Sequence, residues 1–224
     1  MERASTRRRY GYRRLHTLLR REGWTDNHKR VYRIYCEEGL QVPKRKRKRM
    51  AKGRHAQCPV APTRMNERWS MDFVQDALAD GRKIRVLNVV DDFTRECLAV
   101  EVDSSLGGQR VVRVMERIAA LRGKPERLLT DNGPEFSGKA LDAWAYATGV
   151  QHEFIEPGKP IQNARVESFN GRMRDECLNE HWFMTMKHAR EIIEAWREDY
   201  NNFRPHGSLK NMTPTEFAEK LCTG

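Results

Sequence analysis

Apolar residues recur at helical spacing in two short segments near the start of the chain, "YGYRRLHTLLRREG" and "DNHKRVYRIYCEEG". The apolar positions are Leu15, Leu18 and Leu19 in the first segment and Val31, Ile34 and Tyr35 in the second. Asn27 is a candidate N-cap, and Gly23 and Gly39 are candidate helix ends. The pattern predicts two short helices joined by a tight turn. Such a pair suits a helix-turn-helix unit that binds DNA, but it also suits a helical hairpin packed on a larger domain.

The pattern changes from residue 63 onward. In "RWSMDFV", Trp69, Met71 and Phe73 alternate with Ser70, Asp72 and Val74, which predicts a strand. Two further strands are predicted in "IRVLNVV" and "CLAVEVD", with the turn "DDFTRE" between them. Because the connections are short, the three strands should form an antiparallel meander.

Helical and strand patterns then alternate to the end of the chain. The predicted helices are "GGQRVVRVMERIAALRG", "GKALDAWAYATG", "ARVESFNGRMRDECL" and "HAREIIEAWREDYNNF", and the predicted strands are "ERLLTDNG" and "HEFI". The fold class is therefore α/β. The expected architecture is a ribonuclease-H-like mixed sheet, with three antiparallel strands followed by two parallel strands, flanked by helices and preceded by a basic helical segment.

The formal net charge of +11 is concentrated at one end of the chain. The first 58 residues hold 19 Lys and Arg against 5 Asp and Glu, which leaves 23 basic against 26 acidic residues in the remainder. The segment "PKRKRKRMAKGR" is suited to a polyanion, and its candidate DNA-binding residues are Lys44, Arg45, Lys46 and Arg47. A solvated basic linker is the alternative. We expect a helix-turn-helix-like segment at 1–42, a linker at 43–62, a catalytic core at 63–182 and a helical extension at 183–224.

Cysteine usage and hydropathy limit the setting in which the protein works. The five cysteines are scattered and form no CxxC pair, which argues against a disulfide framework and for a reducing compartment. The sequence also shows neither a membrane-spanning apolar run nor a signal-peptide pattern. We therefore expect a cytoplasmic protein.

Three carboxylates stand out by position. Asp72 lies within the first predicted strand, Asp131 ends the strand that follows the helical crossover, and Glu167 lies near the start of a helix. The loop before that helix contains Pro157 and Pro160, and Asn163 is a candidate N-cap of the helix. If the three carboxylates converge, their mutual repulsion requires a cation, and oxygen ligands without His or Cys suit Mg²⁺ or Mn²⁺.

The blocks "WSMDFV", "LLTDNGPEF" and "PGKPIQNARVESFNGRMRDECLN" resemble the signature of the catalytic core shared by retroviral integrases and insertion-sequence transposases. Asp131 and Glu167 have 35 residues between them, and the flanking "YGYRRLHTLLRREGW" and "YNNFRPHGSLKNMTP" resemble the insertion-sequence branch. The resemblance implies a DDE triad of Asp72, Asp131 and Glu167, two divalent ions, and cleavage of DNA ends followed by transfer of a 3′-hydroxyl into target DNA.

The resemblance also implies partners. DNA is expected as terminal repeats and as target duplex, with at least a homodimer to hold two ends and, in this family, an end-recognition protein from an upstream reading frame. Residues around the predicted active-site helix are candidates to contact the DNA. They are Lys159, Gln162, Asn163, Arg165 and Arg174.

Each assignment has a simpler alternative. Asp131 could be a turn residue, Asp72 an edge-strand surface residue, and Glu167 a first-turn acid favoured by the helix dipole. At the level of the whole protein, a ribonuclease-H-type nuclease or a non-catalytic DNA-binding remnant are the rival functions. No zinc site is expected at His16, His28, Cys36 and Cys58, because a close His pair and a CxxC are missing.

Overall fold

The computed structural model describes residues 7–42, 61–156 and 160–222. Five of the predicted DNA contacts lie outside the described residues, namely Lys44, Arg45, Lys46, Arg47 and Lys159. Within those three ranges, no helix has both the length and the apolar character needed to span a bilayer.

A five-stranded mixed sheet forms the centre of the structure. Its strands are β1 (Arg68–Ala77), β2 (Lys83–Asp91), β3 (Cys97–Asp103), β4 (Arg127–Thr130) and β5 (Gln151–Phe154). Their spatial order is β3-β2-β1-β4-β5; β1, β2 and β3 pair antiparallel, and β1, β4 and β5 pair parallel. This confirms the predicted arrangement and places β1 in the middle, next to both the antiparallel and the parallel half.

The described residues form seven α-helices, four of which cover the sheet. They are α1 (Tyr12–Arg21), α2 (His28–Glu37), α3 (Gly108–Arg122), α4 (Lys139–Thr148), α5 (Ala164–Glu176), α6 (Met186–Asn202) and α7 (Pro214–Cys222). Helices α3 and α4 cover one face of the sheet, where Trp69 and Met71 are buried. Helices α5 and α6 cover the other face, where Val74 is buried. The alternation along β1 thus assigns its side chains to the two faces as predicted.

Helices α1 and α2 pack together as the sequence pattern predicts, with one exception. The Asn27 side chain accepts a hydrogen bond from the Lys29 amide at 2.9 Å, which confirms the predicted N-cap of α2. Val31 and Tyr35 are buried, but Ile34 is 40% exposed. Two short helices enclose little volume, so they cannot cover every apolar side chain of a wide stripe.

Ion pairs join this helical pair to the end of α5 and to the segment after α6. Glu176, in the last turn of α5, accepts hydrogen bonds from Arg204 at 2.6 and 2.7 Å and from Arg14 of α1 at 3.2 Å. The Arg204 residue is only 1% exposed. Arg7 also donates to Asp199 of α6 at 2.8 Å. The N-terminal helices therefore dock on the helical layer that contains Glu167, at the C-terminal end of α5.

Replacement of Arg204 by Met should lower the free energy of unfolding by about 3 kcal/mol, because Glu176 would remain buried with only the longer Arg14 contact. Urea unfolding followed by circular dichroism measures this. The exposed Arg113→Met substitution on α3 is the control and should change stability by less than about 0.5 kcal/mol. The double variant Arg204→Met/Glu176→Leu should recover most of the loss. Equal stability of Arg204→Met and the control would show that the Arg204–Glu176 ion pair does not contribute to stability as proposed.

Candidate active site

The first two predicted carboxylates lie at the same edge of the sheet, on neighbouring parallel strands. In the β1–β4 register, Ser70 lies opposite Leu129, and Asp72 and Asp131 each follow two residues later. Neighbouring strands lie about 4.8 Å apart and residues i and i+2 share a face. Asp72 and Asp131 therefore lie side by side, on the face that α5 covers. Since β4 ends at Thr130, Asp131 lies where the chain leaves the sheet.

Glu167 is in the first turn of α5, as predicted, and is exposed. A 3-10 turn, Pro160–Asn163, leads directly into this helix. Asn163 has the N-cap position, but its side chain makes no capping hydrogen bond. The predicted capping role is wrong because its backbone, at φ −99° and ψ 12°, is outside the extended region from which a cap side chain reaches back.

A chain of buried amides ties α5 to the strand that carries Asp72. Asn170, one turn after Glu167, donates from Nδ2 to Asp72 Oδ2 at 2.8 Å. Its Oδ1 accepts a hydrogen bond from Nδ2 of Asn88 at 2.7 Å. Asn88 is fully buried and lies opposite Asp72 in the β1–β2 register. The height of α5 over the sheet, and with it the position of Glu167, is therefore set by a polar contact with Asp72.

The surroundings of Asp72 disfavour its charge. Burial raises the pKa of Asp72 to about 6, and the negative charges of Asp131 and Glu167 contribute to the rise, while hydrogen bonds from the Phe73 amide and from Asn170 oppose it. The three carboxylates are thus close enough to repel one another. A bound cation would relieve this repulsion.

Asp131 is held by its own turn. Its Oδ1 accepts a hydrogen bond from the Gly133 amide at 2.9 Å. A Cβ atom on Gly133 would lie 2.9 Å from that same oxygen, so the close approach requires glycine at this position. Asp131 can therefore be both a turn residue and a site residue, because the turn uses Oδ1 and does not use Oδ2.

The donor set suits a hard divalent ion in its chemistry. Carboxylate oxygens are the ligands that Mg²⁺ and Mn²⁺ prefer, and the pKa of Asp72 is raised by burial first and then by the negative charges of Asp131 and Glu167. Across the described ranges, however, no group of three His, Cys, Asp or Glu side chains has the mutual geometry to hold a metal ion. The residues thus fit a metal by type and charge, while the exposed Glu167 would have to approach the two aspartates.

Other acids near the site have structural partners. Asp91 accepts hydrogen bonds from the amides of its own turn, and the buried Asp92 pairs with Arg68 at 2.7 Å. Glu135, two residues after Gly133, forms an ion pair with Arg85, and that hydrogen bond lowers the pKa of Glu135. These contacts agree with the interpretation of Asp91 and Asp92 as turn residues. They also show that Arg85 holds one oxygen of Glu135.

Comparisons with known proteins place this geometry in a family. A model described as integrase core domain matches residues 62–160, another with the same description matches 148–214, and an HTH-like domain model matches 3–49. A 31.7 kDa protein of insertion element IS407 from Burkholderia multivorans is 53% identical, over 98% of this chain and 79% of the relative. The chain belongs to the insertion-sequence transposases.

Further relatives agree with this assignment. A 39.2 kDa protein of insertion element IS476 from Xanthomonas euvesicatoria is 50% identical to this chain, which spans 64% of the length of that relative. Transposase InsD of insertion element IS2 from Escherichia coli is 28% identical, over 96% of this chain and 75% of the relative.

Solved structures share the fold of the transposase. The HTLV-2 integrase catalytic core domain, in a structure with magnesium, matches with a TM-score of 0.56 at 18% identity, over 68% of this chain and 96% of that one. The simian T-cell lymphotropic virus intasome matches with a TM-score of 0.58 at 16% identity, over 87% of this chain and 67% of that one. At such identities the likeness concerns the fold alone.

The predicted DNA contacts of the transposase differ in their exposure. Gln162 is bonded to Glu156, with its Nε2 donating at 2.8 Å and its Oε1 accepting at 2.8 Å. Asn163 is 3% exposed, so a contact with DNA would need a local movement. Arg165 and Arg174 are exposed on α5, and Arg174 lies on the flank of Glu167, seven residues later. Of these residues, the two arginines are available to DNA in the present conformation.

The pH dependence of stability tests whether the surroundings of Asp72 disfavour its charge. Since the pKa of Asp72 is raised from 3.8 to about 6, its contribution to stability is present below pH 4 and is lost as the pH rises through 6. In EDTA, the free energy of unfolding of the transposase minus that of Asp72→Asn should fall over this window, by up to about 3 kcal/mol. Urea unfolding at several pH values measures the difference. A difference independent of pH would show that neither burial nor the neighbouring carboxylates disfavour the charge of Asp72.

Proposed function

We propose that the transposase is a DDE polynucleotidyl transferase whose triad is Asp72, Asp131 and Glu167. It would cleave DNA strands at the ends of its element and transfer the resulting 3′-hydroxyl into target DNA. The proposal rests on the placement of Asp72 and Asp131 on neighbouring parallel strands and of Glu167 on the helix that Asn170 ties to Asp72. Burial raises the pKa of Asp72, and the negative charges of Asp131 and Glu167 add to that rise. The integrase core and the insertion-element relatives support the reaction class.

We propose that these three carboxylates hold two Mg²⁺ or Mn²⁺ ions. Support comes from the oxygen-only donor set, the crowded charge, and the magnesium in the related HTLV-2 core structure. When bound, two such metal ions would activate the attacking hydroxyl and stabilise the departing 3′-oxygen. Asp72 is the ligand with the firmest support, because Asn170 and the Phe73 amide both hold its carboxylate. Glu167, free of such bonds among the described contacts, would complete the site by a small movement of α5.

The same geometry makes a protein nucleophile unnecessary. Water or a DNA hydroxyl attacks directly in a reaction of this class, so the chain's own residues have to position the scissile phosphate and balance charge. Arg174, on the flank of Glu167, would bind DNA near the triad, and Arg165 would bind it from the other flank of α5, while Lys159, Gln162 and Asn163 belong to the segment that enters α5. Their contacts with DNA remain predictions.

We propose a division of labour along the chain. Residues 1–42 and the basic linker 43–62 would bind DNA, the core at 63–182 would perform the chemistry, and 183–224 would brace the core. The matches of an HTH-like model to residues 3–49 and of integrase core models to 62–160 and 148–214 support this order. Two element ends must be held together, so we expect at least a dimer on terminal repeats and target DNA, working at the bacterial nucleoid. An end-recognition protein from an upstream frame is a further expected partner.

Replacement of Glu167 by Gln should abolish metal-dependent cleavage and joining of a labelled element end, with a loss of at least about a hundredfold. The neutral amide keeps the shape of the side chain but not its charge. Glu116→Gln, an exposed acid on α3, is the matched control and should retain activity. Joining that survives in Glu167→Gln would refute the triad. Hydrolysis of RNA in hybrids without any DNA joining would support the nuclease alternative.

Replacement of Asn170 by Ala should reduce strand transfer about 10- to 100-fold, because Asp72 loses the donor that orients its carboxylate. The Mg²⁺ concentration for half-maximal rate should rise in parallel, and Mn²⁺ should restore part of the rate. Asn179→Ala, at an exposed asparagine beyond α5, is the control. A lower melting temperature with an unchanged metal dependence would mean that Asn170 only stabilises the fold.

A further inference from the structure

The turn between β2 and β3 holds an arginine without a hydrogen-bonding partner for one of its nitrogens. Arg95 has a φ of 67°, an uncommon conformation for a residue with a side chain. Its Nη1 atom is buried and makes no hydrogen bond. Buried charged donors are nearly always paired in folded proteins, and an ion missing from the structure is one recognised reason for an exception.

Two arginines of α5 lie on the flank of that helix that faces away from Glu167. Arg165 and Arg172 are seven residues apart and thus share one flank, while Glu167 is about 200° around the helix from Arg165. Arg165 is exposed and Arg172 is half-buried. Arg172 donates to the carbonyl of Ser168 at 3.0 Å, which orients its guanidinium along the helix.

The guanidinium of Arg95 lies within range of the charges of the two α5 arginines. Burial lowers the pKa of Arg95, and the positive charges of Arg165 and Arg172 lower it further. The acids nearby are already used, since Asp92 is paired with Arg68 at 2.7 Å and Glu176 with Arg204 at 2.6 Å. Asp92 partly offsets the charge of Arg95, since it acts to raise the pKa of Arg95, but Arg68 shares that acid.

We propose that Arg95, Arg165 and Arg172 form a second phosphate site, which binds the sugar-phosphate backbone of DNA on the side of α5 opposite the catalytic carboxylates. Guanidinium groups match phosphate oxygens in geometry as well as charge. Burial and Arg204 lower the pKa of Arg14 of α1, and Arg172 adds to that effect, so the site continues the basic surface of the N-terminal helices toward the core. The inference rests on the proposed function only in taking DNA as the ligand.

Salt dependence of DNA binding tests the site without any catalysis. The full chain and the variants Arg95→Gln, Arg165→Gln and Arg172→Gln are titrated onto a fluorescent duplex of random sequence, in EDTA, over a series of salt concentrations. Arg113→Gln, an exposed arginine on the opposite face of the sheet, removes the same charge and is the control. The slope of log affinity against log salt should become shallower by about 1 for each arginine that contacts a phosphate.

The outcomes separate the possibilities. Slopes shallower than that of Arg113→Gln in Arg165→Gln and Arg172→Gln support the site, and slopes equal to that control overturn it. Saturable binding of inorganic phosphate that Arg172→Gln abolishes, with no change in the DNA slope, would identify a free-anion site and also overturn the proposal. The exposed Arg165→Gln variant keeps the test decisive even if Arg95→Gln does not fold. Because the assay needs no metal, an active Glu167→Gln enzyme would refute the triad and leave this result standing.

Discussion

The proposed site needs three like charges near one point, and the hydrogen bond between Asn170 and Asp72 connects the two layers that carry them. Asp72 and Asp131 share a sheet edge through backbone pairing, which places them without help from side chains. Glu167 has no such support, because it lies on a helix above the sheet. Asn170 connects the two layers at 2.8 Å, and Asn88 extends the connection to the neighbouring strand. A buried amide network of this kind is specific because every misplacement leaves a polar group unpaired.

Helix α5 serves several parts of the structure through its different sides. Val166, Phe169 and Met173 bury its core side against the sheet and α6. Glu167 and Arg174 occupy one flank, and Arg165 and Arg172 occupy the other. Its last turn carries Glu176, which pairs with Arg204 and with Arg14 of the N-terminal helices. The helix that carries Glu167, the proposed catalytic carboxylate, thus also contacts the N-terminal helices proposed to bind DNA.

Local sequence patterns account for most of the predicted helices and strands, and also for the errors of prediction. Periodicity predicted all five strands and six of the seven described helices, because burial on one side leaves a repeating mark in the sequence. The helix α7 was missed, although "TPTE" spells a capping box in which Thr213 and Glu216 exchange hydrogen bonds at 2.7 and 3.1 Å. Asn163 shows the opposite error, since a residue of the right type stands in the N-cap position with the wrong backbone angles.

The sequence by itself determined the order of the elements, the concentration of basic charge at the N-terminal end, and the candidacy of Asp72, Asp131 and Glu167, because these features depend on residue type and local spacing. Only the tertiary structure decided which partners those residues have. The bond from Asn170 to Asp72 joins residues 98 positions apart, and the pair of Arg85 with Glu135 spans 50 positions. Such contacts leave no periodic mark, since they arise only when separate elements pack. The same holds for Arg95, whose nitrogen becomes buried without a hydrogen bond only when the chain folds.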